Sequence, residues 1–198
     1  MKLIESKTFI NLAKSYAGEC QAHVRYKFME YGARKAGYVA LAELIDDVVY
    51  QEFNHARMFY TFIQSASEKT IVNIDISSGY PFKEKWDILD NLKLASEDEK
   101  NEAEKIYFEY EKIARQEGFT EIADLYKNMI QVENCHKMLF EDLYNQMKTK
   151  TLYSKPEVVK WKCAGCGYEE EGKNAFTICP LCKAEQGVVM LKIDDGAN

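Results

Sequence analysis

Apolar residues recur at intervals of three and four positions along four long stretches of this chain. This spacing places apolar side chains on one face of an α-helix, so the pattern predicts four amphipathic helices. The predicted helices span residues 3–35, 37–66, 86–117 and 119–149. Gly37 and Gly118 leave only short connections within each pair, which predicts two antiparallel helical hairpins.

Residues 67–85 form a longer connection between the two hairpins. Turn-forming residues lie around Gly79 and Pro81, and the alternation of isoleucine with polar residues over 71–76 predicts a short extended stretch. We interpret the whole segment as a long crossover. The sequence therefore predicts a mainly α fold, in which two hairpins and a crossover make a four-helix bundle.

The helical pattern ends after Lys148, where Ser154 and Pro156 interrupt it. The sequence beyond is poor in leucine and rich in cysteine and glycine. We predict a bundle domain at residues 1–150, followed by a linker and a small second domain at 151–198. So short a segment cannot bury a sufficient apolar core, so a metal ion is expected to stabilise it.

Acidic residues interrupt the apolar face of each predicted helix near its middle. A buried carboxylate without a counter-charge costs on the order of several kcal/mol even after relaxation, so five together require positive charge. Lysine and arginine are missing from these faces, which leaves metal ions as the compensation. The five carboxylates belong to Glu19, Glu52, Glu99, Glu102 and Glu133.

Two of the three histidines follow these glutamates by three residues, His55 after Glu52 and His136 after Glu133. Such a pair presents an oxygen and an imidazole nitrogen on one helix face. Carboxylates with a few imidazoles suit iron or manganese, leave zinc possible and disfavour copper. Five carboxylates carry a charge of about -5, which two divalent ions nearly balance, so the pattern predicts two metal ions.

One glutamate–histidine pair alone would be weak evidence, because this spacing also arises by chance in a chain rich in glutamate. Here two pairs are centred in apolar faces. The interval from Glu19 to Glu52 also nearly repeats from Glu102 to Glu133, which indicates an internal two-fold repeat. Either Glu99 or Glu102 completes the set on the third helix.

Charge and hydropathy limit the partners and the location of the protein. The net charge of -6 argues against nucleic acid or an anionic membrane as a partner, because both require a concentrated basic face. No run of about 18 apolar residues is present, and the first residues do not resemble a signal peptide. We therefore expect a cytoplasmic protein.

Four of the 6 cysteines form two Cys-x-x-Cys pairs. In a reducing compartment such pairs are more often metal ligands than disulfides. Four thiolates complete a tetrahedral site for iron or zinc, and ligand identity does not choose between these metals. The four residues are Cys163, Cys166, Cys179 and Cys182.

Together these motifs resemble the rubrerythrin family, whose members join a ferritin-like di-iron bundle to a rubredoxin-like iron domain. The resemblance covers nearly the whole chain. It rests on Ala17-Gly18-Glu19-Cys20-Gln21-Ala22 with Arg25-Tyr26, Glu52-Phe53-Asn54-His55-Ala56, Asn91-Leu92 through Glu99 and Glu102, Glu133-Asn134-Cys135-His136, and both cysteine pairs.

The resemblance implies two iron ions in the bundle with five permanent ligands, and it leaves Glu52 and Glu133 free to bridge. The permanent ligands would be Glu19, Glu52, Glu99, Glu133 and His136. Glu102 and His55 would be an exchanging pair, in which iron is bound by Glu102 when oxidised and by His55 when reduced. The cysteines would hold a third iron, or zinc after expression in a foreign host.

The resemblance further implies an activity, the reduction of hydrogen peroxide to water at the di-iron site. Electrons would come ultimately from a nicotinamide nucleotide, through a rubredoxin or an NAD(P)H-dependent reductase, and would enter at the cysteine-bound iron. A carboxylate released from iron would supply protons. A head-to-tail homodimer is also implied, with the cysteine site of one subunit beside the di-iron site of the other.

Two tyrosines are candidates for a role near the metals. Tyr26 follows Glu19 by two helical turns, so it either donates a hydrogen bond to a ligand carboxylate or belongs to the core. Tyr107 corresponds to a family tyrosine near the site, although α-helical spacing places it off the apolar face. Its assignment rests on the resemblance alone.

Three residues near the predicted ligands depart from the family pattern or remain to be explained. His23 lies one turn beyond Glu19, and we expect it to support the site or the core rather than to bind metal. Cys20 and Cys135 neighbour ligand positions, but helical geometry points them away from the metals. We expect both to be small buried apolar residues.

Two other classes of function compete with the peroxidase. In the first, the bundle oxidises ferrous iron with oxygen for storage, as ferritins do; an electron-relay domain argues against it. In the second, a zinc ribbon and a structural bundle form a non-enzymatic interaction protein; the cost of five core acids argues against that.

Overall fold

The structure is a computed structural model that describes residues 1–77, 79 and 86–192. It consists of a helical bundle followed by a small antiparallel sheet, which confirms the predicted fold class. The helices are α1 (Lys7–Lys35), α2 (Val39–Ser65), α3 (Ile88–Asn101), α4 (Tyr107–Gln116) and α5 (Thr120–Lys148). The strands are β1 (Ser154–Cys163), β2 (Glu169–Asn174) and β3 (Val189–Leu191).

Each hairpin turns at a glycine. Gly37 and Gly118 have φ angles of 88° and 85°, a left-handed conformation that a β-carbon disfavours. At the end of α1, the Tyr38 N–H donates to the Ala33 carbonyl at 3.0 Å, and an equivalent 2.9 Å bond closes α4. These bonds satisfy helix-end carbonyls and allow the next helix to begin at once.

The third predicted helix is not continuous, because one π-helical turn, Glu102–Ile106, joins α3 to α4. The Tyr107 N–H donates to the Glu102 carbonyl, five residues earlier. In an α-helix, residues five apart point about 140° away from each other, whereas the wider turn directs both inward. The prediction that Tyr107 lies off the apolar face is therefore wrong.

The crossover contains neither helix nor strand over residues 67–77 and 79. Ile71, Ile74 and Ile76 are half-buried against the bundle. The alternation of isoleucines thus comes from packing on helices, which offer no backbone edge for a strand to pair with. The rest of the predicted crossover, residues 78 and 80–85 with the turn at Pro81, lies outside the described residues.

The bundle core consists of two apolar clusters at opposite ends. The cluster at the Gly37 turn includes Met29, Leu41, Ile45, Leu92 and Leu143. The cluster at the Gly118 turn includes Phe9, Phe59, Ile122, Tyr126 and Met129. Between them lies the level at which carboxylates replace apolar side chains. No helix in the described part of the chain is long and apolar enough to cross a bilayer.

The second domain is a sheet in which β1 lies between β2 and β3 and pairs antiparallel with both. Within residues 151–192, its apolar core contains three buried residues, Trp161, Ala175 and Val189. Gly187 lies against the α1–α2 turn so closely that a β-carbon there would be 1.6 Å from the Gly37 carbonyl oxygen.

Candidate metal centres

All four helical stretches of the bundle contribute to a buried layer of carboxylates and histidines. Glu19 and Glu133 are 0% exposed, and Glu52 and Glu99 are 1% exposed. The layer contains all seven residues predicted as bundle ligands, namely Glu19, Glu52, His55, Glu99, Glu102, Glu133 and His136.

Glu52 and Glu133 lie between the two histidines. The His136 Nδ1 atom is 2.9 Å from Glu52 Oε1 and 2.9 Å from Glu133 Oε2. The His55 Nδ1 atom is 3.4 Å from Glu52 Oε2 and 3.3 Å from Glu133 Oε1. Each carboxylate therefore presents one oxygen to each histidine, a geometry in which it can bridge two cations.

Possible ligand atoms form two groups, each within 4.8 Å, and the groups share Glu52. One group comprises Glu52, Glu99, Glu133 and His136, and the other comprises Glu19, Glu52 and His55. Each group combines one imidazole with several carboxylates, a set that suits iron or manganese. Two overlapping groups provide places for two ions.

Glu102 lies beside these groups rather than within them. Its Oε1 atom is 3.6 Å from the position that a β-carbon on Gly18 would take. Burial raises the pKa of Glu102 well above its usual range, and the charge of Asp98 acts in the same direction. His55, by contrast, approaches Glu19 Oε2 at 3.5 Å. His55 therefore lies within one of the two groups of ligand atoms, whereas Glu102 lies outside both.

The chemistry of the layer fits bound metal ions. Several buried atoms of this layer make no hydrogen bond within the described part of the chain, although leaving such atoms unsatisfied is costly. They are Glu19 Oε2, Glu52 Oε1, Glu99 Oε2, both Glu133 carboxylate oxygens, and the Nδ1 atoms of His55 and His136. Cations among them would satisfy these atoms together.

One residue that sequence reasoning missed orients a predicted ligand. The His136 Nε2–H group donates to Gln51 Oε1 at 2.7 Å. In the neutral imidazole this leaves the lone pair on Nδ1, which faces Glu52 and Glu133 and is free to bind a metal. Gln51 lies on the polar side of α2, so apolar periodicity gives no signal for it.

The electrostatics of the layer shows how strongly it requires positive charge. Burial, and then the charge of Glu52, raises the pKa of both Glu19 and Glu99 well above the usual range. Burial would lower the pKa of the imidazoles, but the adjacent glutamate carboxylates outweigh it and raise the pKa of His136 to about 9 and that of His55 further. These pKa shifts show that the layer favours positive charge, which two cations could supply.

Two tyrosines, one from each hairpin, each donate a hydrogen bond to a glutamate of the layer that belongs to the other hairpin. The Tyr26 hydroxyl of α1 donates to Glu99 Oε1, and the Tyr107 hydroxyl of α4 donates to Glu19 Oε1. In each glutamate the second oxygen, Oε2, is one of the atoms without a hydrogen bond. The tyrosines therefore orient these carboxylates and leave one oxygen of each for a metal.

His23 is placed as a supporting residue. Its Nδ1–H group donates to the Val49 carbonyl at 2.8 Å, which links α1 to α2, and among the described residues it belongs to neither group of ligand atoms. The prediction that Cys20 and Cys135 are buried is wrong, since Cys20 is half-buried and Cys135 is exposed. Both face away from the carboxylate layer, toward the outside of the bundle.

The four cysteine sulfurs of the second domain form a compact cluster. Cys163 Sγ is 3.7 Å from Cys182 Sγ, and Cys166 Sγ is 3.6 Å from Cys179 Sγ. A tetrahedral ion with metal–sulfur bonds of about 2.3 Å would require sulfur–sulfur distances of about 3.8 Å. The distances fit such an ion and exclude disulfides, which are much shorter.

Matching backbone bonds hold the two cysteine turns. The Cys163 N–H donates to the Tyr168 carbonyl, and the Cys179 N–H donates to that of Ala184, both at 2.8 Å. These bonds make the two turns equivalent, so that they face each other across one site. Cys163 and Cys179 are buried, Cys166 is half-buried and Cys182 is exposed.

Comparison with known proteins identifies the same two regions, the helical bundle and the four-cysteine domain. The Rubrerythrin family profile matches residues 11–144, and the profile for the rubrerythrin rubredoxin-like domain matches residues 161–187. Rubrerythrin of Clostridium perfringens is 37% identical over 177 residues, which cover 89% of this chain and 90% of the relative. Rubrerythrin of Nitratidesulfovibrio vulgaris is 29% identical over 177 residues, with the same coverage.

Solved structures show a similar fold. A nigerythrin in a mixed-valence state has a TM-score of 0.62 and 22% identity, covering 95% of this chain and 90% of that one. A Desulfovibrio desulfuricans bacterioferritin has a TM-score of 0.60 and 20% identity, covering 73% of this chain and 82% of that one.

Fold and sites define the class of this protein as a ferritin-like carboxylate–histidine bundle joined to a four-cysteine metal domain. The chain belongs to the rubrerythrin family. Its buried glutamate–histidine layer is a di-iron site, and its four cysteines form a rubredoxin-like site. It is accordingly a di-iron oxidoreductase.

Proposed function

We propose that this protein reduces hydrogen peroxide to water at the di-iron site and thereby protects the cell against oxidative stress. The observation that carries the proposal is the joining, in one chain, of two overlapping groups of carboxylate and histidine ligand atoms to a four-cysteine metal site. When bound, two ferrous ions would supply both electrons that one peroxide requires. The proposed bundle ligands are Glu19, Glu52, His55, Glu99, Glu102, Glu133 and His136, and Cys163, Cys166, Cys179 and Cys182 bind the third iron.

The protein's own groups position and protonate the reactants. Glu102 and His55 are the proposed exchanging pair, and Glu102, when it is not a ligand, is a buried acid that can donate a proton to a departing oxygen. Tyr26 and Tyr107 hold Glu99 and Glu19 by one oxygen each. The apolar clusters above and below exclude bulk water.

Electrons would arrive from a rubredoxin or an NAD(P)H-dependent reductase that docks near the exposed Cys182. Following the family, we propose a head-to-tail homodimer in the reducing cytoplasm, with the cysteine site of one subunit serving the di-iron site of the other. Sedimentation of the iron-loaded protein would test the dimer.

Anaerobic stopped-flow spectroscopy tests the proposed reaction. The fully reduced protein, with three irons per chain, is mixed with either peroxide or oxygen, and the visible absorption of the ferric cysteine site is followed. Peroxide should restore this absorption much faster than oxygen. A faster response to oxygen would instead favour a ferritin-like ferroxidase.

Two variants of the same π turn give this experiment a matched control. Glu102→Gln removes the buried acid, so reoxidation by peroxide should slow markedly. Glu104→Gln changes an exposed glutamate two residues away and should leave the rate unchanged. Equal rates in both variants would remove Glu102 from the proposed mechanism.

A further inference from the structure

Three tyrosine rings in tilted or edge-to-face contact, which we call the tyrosine stack, lead from the carboxylate layer toward the surface. The ring centroids of Tyr107 and Tyr126 are 5.5 Å apart, and those of Tyr126 and Tyr110 are 5.7 Å apart. These separations lie in the range of aromatic rings in direct contact. Tyr107 and Tyr126 are 1% and 0% exposed, whereas Tyr110 is half-buried, so the stack ends where solvent begins.

The inner end of the stack is joined to the metal layer by a hydrogen bond, since the Tyr107 hydroxyl donates to Glu19 Oε1. The middle ring is held by Ser15, whose Oγ lies 3.1 Å from the Tyr126 hydroxyl oxygen. The stack therefore has a proton acceptor at its buried end, an immobilised middle ring and a solvent-accessible end.

The other half of the internal repeat lacks such a stack. Tyr26 donates to Glu99 as Tyr107 does to Glu19, but within the described residues its ring contacts are with Phe140, at 4.9 Å, and with the Arg25 side chain. A phenylalanine ring has no hydroxyl proton to lose and is hard to oxidise. The tyrosine stack is thus a feature of one side of the site.

We propose that Tyr107, Tyr126 and Tyr110 form a relay that moves a stray oxidising equivalent from the di-iron site to the surface, where a small thiol quenches it. This second function rests on the proposed peroxide reaction, and it operates when peroxide is reduced by one electron instead of two. Peroxide that receives one electron instead of two splits into hydroxide and a hydroxyl radical.

The relay begins with the hydroxyl radical beside Tyr107. The radical takes one electron from Tyr107 and becomes hydroxide, while the phenol proton passes along the hydrogen bond to Glu19. Tyr107 is then a neutral phenoxyl radical. It recovers an electron from Tyr110 through the intervening ring of Tyr126, and its proton returns from Glu19.

The relay ends at Tyr110, which releases its proton to water and becomes the phenoxyl radical. The released proton neutralises the hydroxide, so the net step converts a hydroxyl radical and Tyr110 into water and a Tyr110 radical. A thiol then gives a hydrogen atom to Tyr110, and two of the resulting thiyl radicals combine as a disulfide.

Spin trapping with peptide mapping tests the relay. Iron-loaded, fully reduced protein receives limited peroxide in the presence of a nitroso spin trap, and mass spectrometry locates the adducts. Tyr144 is the internal reference, because it is half-buried on the same helix as Tyr126 and contacts Lys148. Adducts at Tyr144 report radicals that diffuse through solution, and peroxide consumption is measured in the same samples.

In the wild type, adducts should concentrate at Tyr110 over Tyr144. The Tyr107→Phe substitution keeps the ring but removes the transferable proton, so the ratio of Tyr110 to Tyr144 adducts should fall severalfold. Tyr110→Phe removes the solvent-accessible end of the relay, so the adduct at position 110 should be lost while that at Tyr144 is unchanged. A physiological thiol added before the trap should suppress the Tyr110 adduct.

Three results would overturn the relay. Peroxide consumption without a Tyr110 adduct would refute the relay and leave the peroxidase proposal intact. An unchanged ratio in Tyr107→Phe would show that the radical reaches Tyr110 through solution. No consumption of peroxide by the wild type would refute the peroxidase, and the relay with it.

Discussion

At the scale of single residues, the direction of the imidazole Nδ1 atom distinguishes a histidine that can bind metal from one that only supports the bundle. His23 and His55 are both on helices that line the di-iron layer, but His23 directs Nδ1–H to the Val49 carbonyl, whereas His55 directs Nδ1 to three carboxylates. We predict that His23→Leu retains two irons in the bundle and lowers the free energy of unfolding by about 1 kcal/mol, the value of one lost hydrogen bond.

Metal analysis and urea unfolding check this prediction, with His55→Leu as the comparison. His55→Leu should lose iron from the bundle, because it removes a donor from one of the two groups. A loss of iron from His23→Leu comparable to that of His55→Leu would make His23 a ligand after all.

The sequence was most informative at positions where burying the residue costs the most free energy. A carboxylate on an apolar helix face has few explanations, so Glu19, Glu52 and Glu133 could be identified from periodicity alone. Gln51 could not, because it contacts His136 from the polar side of its helix, where glutamine is ordinary. A residue such as Gln51, which orients a ligand from the polar side of a helix, carries no burial cost. Nothing in the apolar periodicity of the sequence therefore marks it.

At the scale of elements, one side chain joins the two hairpins at the start of α1. The Glu117 carboxylate, at the end of α4, accepts hydrogen bonds from the Lys7 N–H at 3.1 Å, the Thr8 N–H at 2.9 Å and the Thr8 hydroxyl at 2.6 Å. It therefore caps the N-terminus of a helix in the other hairpin. We predict that Glu117→Gln lowers the free energy of unfolding by about 1 kcal/mol at neutral pH.

The same contact predicts a pH dependence. Burial alone would raise the pKa of Glu117, but hydrogen bonds from Thr8 and Lys7 outweigh it and lower the pKa below its usual range. A lowered folded-state pKa stabilises the protein above the unfolded-state pKa, and this stabilisation is lost as the pH falls through the folded-state value.

Urea unfolding across a pH series measures this contribution as the difference between wild type and Glu117→Gln. The difference should be full at neutral pH and shrink in acid. Glu141→Gln, an exposed glutamate on α5, should show little difference at any pH. A gap between wild type and Glu117→Gln that does not change with pH would contradict the charged cap.

The predicted helices were largely right in position because apolar periodicity persists over many turns. The π turn was missed, because a single residue added to a helix shifts the periodicity only locally. That one turn decides whether Tyr107 lies in the core or outside it. The error in this one element thus gave a wrong position for Tyr107, although the predicted fold class was unaffected.

At the scale of the whole molecule, the second domain is held against the bundle by a contact that only glycine permits. We predict that Gly187→Ala, whose β-carbon would lie 1.6 Å from the Gly37 carbonyl oxygen, loosens the domain from the α1–α2 turn. Limited proteolysis should cleave the linker near residue 150 faster than in wild type. Gly32→Ala, where an added β-carbon meets nothing within 4 Å, should not change cleavage.

The two domains also depend on their metals to different degrees. Two apolar clusters hold the bundle on either side of its metal layer, whereas the apolar core of the second domain has three buried residues. So small a core offsets little of the conformational entropy lost on folding. The remaining stabilisation must come from the bonds between the four thiolates and their metal ion. We predict that Cys182→Ser unfolds the second domain and leaves the bundle folded.

Hydrogen exchange read by mass spectrometry separates the two domains in one experiment. In Cys182→Ser, amide protection should be lost across β1 and β2 and retained in α1 and α5. Cys135→Ser is the matched control, since Cys135 is also an exposed cysteine but lies outside the cysteine cluster. Protection of the strands in Cys182→Ser equal to that in Cys135→Ser would mean that Trp161 and its neighbours fold without the metal, and the four-cysteine site would then serve electron transfer alone.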